Sequence, residues 1–132
     1  MSSKVLPPPL ISHLDHTLRV LVTNIPQEHA PSLAKALVSE HVAACVNLVP
    51  GVQSFYFWEG EVVQDTECTL LIKTTDEALE RCTQRLVELH PYTVPELLVM
   101  CPEQVLESYA DWASEVTSSA LDASSDAPEE ER

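Results

Sequence analysis

Apolar residues alternate with polar ones in some stretches of this chain and recur every third or fourth residue in others, and the two periods place the elements. Thr17-Leu18-Arg19-Val20-Leu21-Val22-Thr23 is a β-rich run closed by Asn24 and Pro26, which predicts a first strand. Leu33, Leu37 and Val38 then recur at helical spacing among Ala30, Ala34 and Ala36, predicting a helix that ends near Glu40-His41. From Ala44 a second strand directs Ala44, Val46 and Leu48 one way and Cys45, Asn47 and Val49 the other. Pro50-Gly51 interrupts it, so a bulge or bend is expected there. The run resumes through Phe55-Tyr56-Phe57-Trp58, and Glu59-Gly60 supplies a tight turn in which Gly60 takes φ > 0. A third strand returns through Glu61-Val62-Val63 to Thr69-Leu70-Leu71-Ile72-Lys73-Thr74, with polar Gln64 to Glu67 on an edge facing solvent. Asp76 is read as an N-cap, and Ala78, Leu79, Cys82, Leu86 and Leu89 follow one face of a second helix stopped by His90-Pro91-Tyr92. Glu96 to Cys101 reads as a fourth strand. Pro102 opens a closing helix whose apolar stripe is Val105, Leu106, Tyr109, Trp112, Ala113 and Val116.

The order β-α-β-β-α-β with a final helix predicts an α+β, ferredoxin-like sandwich: an antiparallel sheet with helices on one face. Residues 16–117 form that domain. Residues 1–15, with Pro7-Pro8-Pro9, read as a flexible arm, and residues 118–132 as an acidic disordered tail. The sheet's second face has many apolar positions and no helix assigned to it. Four of the seven aromatic residues crowd Phe55 to Trp58 on a two-stranded ribbon, which is marginal in water by itself. Another copy of the same chain is the expected cover, so self-association is the strongest message of the pattern.

Charge narrows the partners. The formal net charge is −14, and the last eleven residues, with Asp122, Asp126, Glu129, Glu130 and Glu131 against Arg132, account for −4 of it. Binding nucleic acid requires Lys and Arg to release counterions, so no nucleic-acid partner is expected. Anionic membrane surfaces are disfavoured for the same reason. No apolar run approaches the roughly 18 residues of a membrane helix, and Met1 to Ile11 has no signal-peptide core. The four cysteines, Cys45, Cys68, Cys82 and Cys101, form no CxxC pair. They read as free thiols in apolar settings, Cys45 and Cys101 included, in a cytoplasmic protein.

Candidate chemistry is sparse. Two glycines in the whole chain leave no phosphate loop and no nucleophile elbow, so an enzyme is not expected. His90 either ligates a metal, since neutral imidazole suits copper, zinc or nickel, or sits at a helix C-terminus bonding the last carbonyls. Glu96, six residues on, adds a carboxylate oxygen to such a site or forms an ion pair. His13, His16, His29 and His41 are scattered and read as solvent-facing. No cofactor is obligatory.

Four segments in register carry a resemblance. Ala43-Ala44-Cys45-Val46-Asn47-Leu48-Val49-Pro50-Gly51, Tyr56-Phe57-Trp58-Glu59-Gly60, Leu71-Ile72-Lys73-Thr74 and His90-Pro91-Tyr92-Thr93-Val94-Pro95-Glu96 together resemble the CutA family of divalent-cation tolerance proteins, over about residues 17 to 117. The resemblance implies a homotrimer built through edge strands and long hairpins, a link to copper and other divalent metals, and a trimer architecture similar to that of PII signalling proteins. It implies no enzymatic reaction. It implies metal ligation at His90, while the position before it is Leu89 and the family's first-strand Cys position falls near Thr23 or Ile25. It also sets Trp58, Lys73 and Tyr92 near clefts between subunits. There, with Glu59 and Glu67, they either hold a small polar ligand or pack and salt-bridge the interface. Two functions follow: a trimeric metal-binding tolerance or response protein, or a PII-like scaffold that binds a ligand or protein partner.

Overall fold

The computed structural model describes residues 9–118. Its elements are β1 (Leu10–Ser12), β2 (Leu18–Ile25), α1 (Ala30–Ser39), β3 (Cys45–Trp58), β4 (Glu61–Thr75), α2 (Leu79–Leu89), β5 (Leu98–Met100), β6 (Gln104–Leu106) and α3 (Glu107–Val116). Four strands form one antiparallel sheet in the order β3-β4-β2-β5, the ferredoxin-like arrangement. The acidic stretch beyond Ser118 lies outside the described residues.

Burial explains why the helices lie where they do. Leu21 and Ile25 of β2, Leu70 and Ile72 of β4, and Leu33, Leu37, Cys82 and Leu86 of the two helices close one dry core. Each buried leucine or isoleucine contributes about 1.5–3 kcal/mol relative to exposure. Across the core's rim Arg85 grips both carboxylate oxygens of Glu40, at 2.8 and 3.1 Å, tying the end of α1 to α2. Both partners are partly exposed, so this pair contributes about 0.2–1 kcal/mol.

The ribbon is built as its sequence predicts. Glu59 and Gly60 take φ of 50° and 81°, the paired positive values that a two-residue hairpin turn requires. Val49 pairs with Thr69 and Val52 with Glu67, so Pro50 and Gly51 bulge opposite the single residue Cys68. Gly51 has φ of 74°, and its N–H donates to Gln27 Oε1. The bulge shifts the parity of β3. Below it Cys45, Asn47 and Val49 share the face turned away from α1 and α2 with Thr69, Leu71 and Lys73. Above it Val52, Ser54, Tyr56 and Trp58 occupy that face, and Phe55 and Phe57 point the other way.

Several expectations are corrected. Leu10–Ser12, read as part of a flexible arm, is strand β1, paired antiparallel with β6, and Glu107 N–H donates to Pro9 O just beyond the pairing. Pro102 opens no helix; the chain first forms β6, and α3 starts at Glu107. Asp76 is not an N-cap. Its N–H donates to Thr17 O, its carboxylate lies 3.8 Å from Arg19, and α2 begins three residues later with Ala78 as the preceding residue. Glu77 and Arg81 form an i,i+4 ion pair at 3.6 Å. The second sheet face is partly covered: Leu18 and Ala44 pack against Ala113, Tyr109, Trp112 and Val116 of α3. Leu18 shares parity with Val20 and Val22, so α3 caps one end of that face. His16, expected in solvent, is buried: its Nδ1 accepts from Leu18 N–H, so Nε2–H donates to Pro102 O at 2.9 Å.

Candidate functional site

The end of α2 delivers His90 into the fold. Pro91 forbids another helical turn, and the His90 backbone is already extended. The ring is 7% exposed. Tyr92 N–H donates to Nδ1 at 3.2 Å, which fixes the proton on Nε2. Nε2–H then donates to Asn24 O at 3.0 Å, with Thr23 Oγ1 at 3.1 Å. Thr23 in turn donates to Glu96 O at 2.6 Å, and Asn24 Nδ2 donates to Glu96 Oε1 at 3.1 Å. His90 and Glu96 therefore meet at one place, through Thr23 and Asn24 of β2. Both imidazole nitrogens are committed to hydrogen bonds. Burial pushes the His90 pKa below the ordinary histidine value. Among the described residues no three His, Cys, Asp or Glu side chains gather closely enough to hold a metal ion.

Beyond that histidine the loop 91–94 lies along the ribbon and closes a groove. Tyr56 and Trp58 form one wall and Pro91, Tyr92, Thr93 and Val94 the other, around about 310 Å³. The Tyr92 ring is 5.0 Å from the His90 ring, so the buried histidine sets the aromatic wall in place. Tyr92 Oη donates to Glu67 Oε2 at 2.6 Å, and Tyr56 Oη donates to Asp65 Oδ2. Burial, and then the bond to Glu67, raises the Tyr92 phenol pKa; for Tyr56 the bond to Asp65 is the main cause. Both phenols stay protonated at any physiological pH. Glu67, polar in a strand expected to face solvent, is only 6% exposed.

Of the expected cleft residues the fold thus joins Trp58, Tyr92 and Glu67. Glu59 stands in the turn beside Trp58. Lys73 is separate: it lies twelve residues along β4 from Glu61, the register partner of Trp58, about 40 Å away at the rise of a strand, and its ammonium bonds Asn47 Oδ1. Tyr56 and Asp65 were not among the expected site residues. Their signal was present in the alternation, because Tyr56 and Trp58 share a face and Asp65 sits one diagonal step away across the hairpin. The four cysteines are free thiols in different settings. Burial drives the Cys82 thiol up to about 12, Cys68 is buried with its pKa raised likewise, Cys45 is half-buried and Cys101, read as a core thiol, is exposed.

Comparison with known proteins gives the family. Residues 18–116 match the model of the CutA1 divalent ion tolerance protein. The divalent-cation tolerance protein CutA of Thermus thermophilus is 49% identical over 98 residues, covering 74% of this chain and 95% of that protein. The chloroplastic CutA of Arabidopsis thaliana is 40% identical, and the match spans 54% of its length. Among solved structures, CutA of Synechococcus elongatus PCC7942 superposes with a TM-score of 0.78 at 38% identity, over 83% of this chain and 96% of that one. A PII-like CutA of Nostoc sp. PCC 7120, in apo form, gives 0.72 at 42% identity, over 75% and 96%. The fold, the ordered motifs and these matches agree: the chain belongs to the CutA1 family of divalent ion tolerance proteins.

Proposed function

We propose that this protein acts by binding rather than catalysis, as a cytoplasmic homotrimer whose ligand groove, walled by Tyr56, Trp58 and Tyr92, lies at the seam between subunits. The groove carries the proposal. It is of ligand size, mostly apolar, edged by oriented polar groups, and set on a ribbon whose outer aromatics need a cover. Phe55, Phe57 and Val62 are 66%, 73% and 67% exposed, more apolar surface than a ribbon keeps in water. The likeness to a PII-like CutA supports a role in sensing. Four free cysteines support a reducing compartment. Metal tolerance is then exercised through what the groove captures.

Direct ligation of copper or another divalent ion by His90 and Glu96 is the second reading, favoured by their shared contact with Thr23 and Asn24. It requires the imidazole to release one of its present partners. Isothermal titration with copper(I), copper(II) and zinc on the wild type and on His90→Ala separates the two. Weak heats unchanged by the substitution favour the groove. A tight site abolished by His90→Ala overturns it in favour of metal. Sedimentation velocity tests the assembly: a folded monomer at micromolar concentration refutes the trimer.

A further inference from the structure

We propose that the groove selects a small organic cation, a molecule bearing an alkylated ammonium group. The inference rests on the groove being a ligand site, as proposed above, and adds the chemistry of what it takes. Three electron-rich rings, Tyr56, Trp58 and Tyr92, face the same volume. The two phenols each donate to a carboxylate behind them, Glu67 at 2.6 Å and Asp65. A phenol that donates to a carboxylate is polarised toward the phenolate, which makes its ring face more negative. An alkylammonium group over such faces gains cation–π attraction and loses little hydration.

Charge around the groove points the same way. None of the six lining residues is basic. Glu61 is the register partner of Trp58, Glu59 adjoins it in the turn, and Asp65 and Glu67 follow along β4. From Val46 to Ile72, the arm of the ribbon, the sequence holds no Lys, Arg or His, and Lys73 lies beyond it at the base, bonded to Asn47. An anionic ligand entering here meets four carboxylates and no counter-charge. A neutral ligand finds Pro91 and Val94 but leaves the field of the carboxylates unused. A bare metal ion finds Asp65 and Glu67 already accepting from the phenols and, among the described residues, no three carboxylate, imidazole or thiolate groups gathered to hold it.

Choline and its uncharged isostere 3,3-dimethyl-1-butanol differ in the charge alone. Each is titrated into the full-length protein while the Trp58 indole N–H resonance is followed, the signal being assigned with Trp58→Phe. The expected result is a saturable shift with choline and binding about tenfold weaker with the alcohol. In Glu67→Gln, whose amide oxygen still accepts the Tyr92 hydroxyl, choline binding falls severalfold and the weak response to the alcohol stays. Equal binding of the two compounds overturns the cation while leaving the groove as a ligand site. No saturable shift with either overturns both. A shift reproduced by magnesium chloride overturns the proposal as general electrostatics. Sedimentation of each variant beside wild type confirms that assembly is intact.

Discussion

Burial holds the His90 imidazole neutral while both its nitrogens bond the protein, and this couples one residue to pH. The folded state disfavours the charged ring, so the folded pKa lies below the ordinary 6.5. The unfolded chain then binds more protons as pH falls through 6.5, and the stability this histidine contributes is full above that value. It is lost progressively on acidification until the folded pKa is passed. Melting temperature measured from pH 8 to pH 5 is expected to fall through this window in the wild type. In His90→Gln it is expected to start lower and to show a flatter dependence; identical slopes would rule the coupling out. The sequence marked His90-Pro91-Tyr92 as a helix stop and a site but could not show the ring's partners, because Thr23 stands 67 positions away. The same limit hid His16, whose anchor Pro102 is 86 positions distant. Alternation places a side chain on a face; it does not state what the fold brings over that face.

Turns and strand ends show what local chemistry specifies. Glu59 sits at φ 50°, which a longer side chain tolerates poorly and asparagine accepts, and Gly60 follows at 81°. Glu59→Asn is expected to raise stability by about 0.5 kcal/mol, read as a higher urea midpoint; an unchanged or lower midpoint would show that the turn is not limiting. Gly60→Ala is expected to cost about 1 kcal/mol in the same assay, by placing a Cβ at positive φ. The turn, the Pro50-Gly51 interruption and the face of α2 were legible because each depends on a few adjacent residues. Strand β1 was not. Leu10 to Ser12 follow three prolines and have no periodicity of their own, and they become a strand only because Gln104 to Leu106 offer an edge. Ile11→Pro breaks the pairing with Val105, and exchange protection of the Gln104 to Leu106 amides is expected to drop while that of β2 and β4 stays.

Taken as a whole molecule, the chain has a complete core at the base of its sheet and unsheltered aromatics on both faces of the ribbon that extends from it. The proposed trimer resolves that asymmetry, and its energy should reside in the ribbon. Replacing Phe55 and Phe57 together by Ser removes no described core contact, yet it is expected to weaken association by about 2 kcal/mol or more, visible in sedimentation velocity as trimers dissociating on dilution. Unchanged sedimentation at every concentration would move the interface elsewhere. Fold class was readable from alternation and element order. Within one chain the groove joins Trp58 and Tyr92 from different elements, a meeting that alternation alone does not state, while Lys73 lies farther along β4. The bulge at Pro50-Gly51 has a consequence for how such chains can change length. Removing one of those two residues would leave Val49 opposite Thr69 and Val52 opposite Glu67, so the hairpin would lose the bend of the bulge and keep both of its coats in place. A lone deletion at the bulge should therefore be tolerated in this arm, whereas a lone insertion or deletion between Val52 and Trp58, where pairing is one to one, should put the strand out of register with β4.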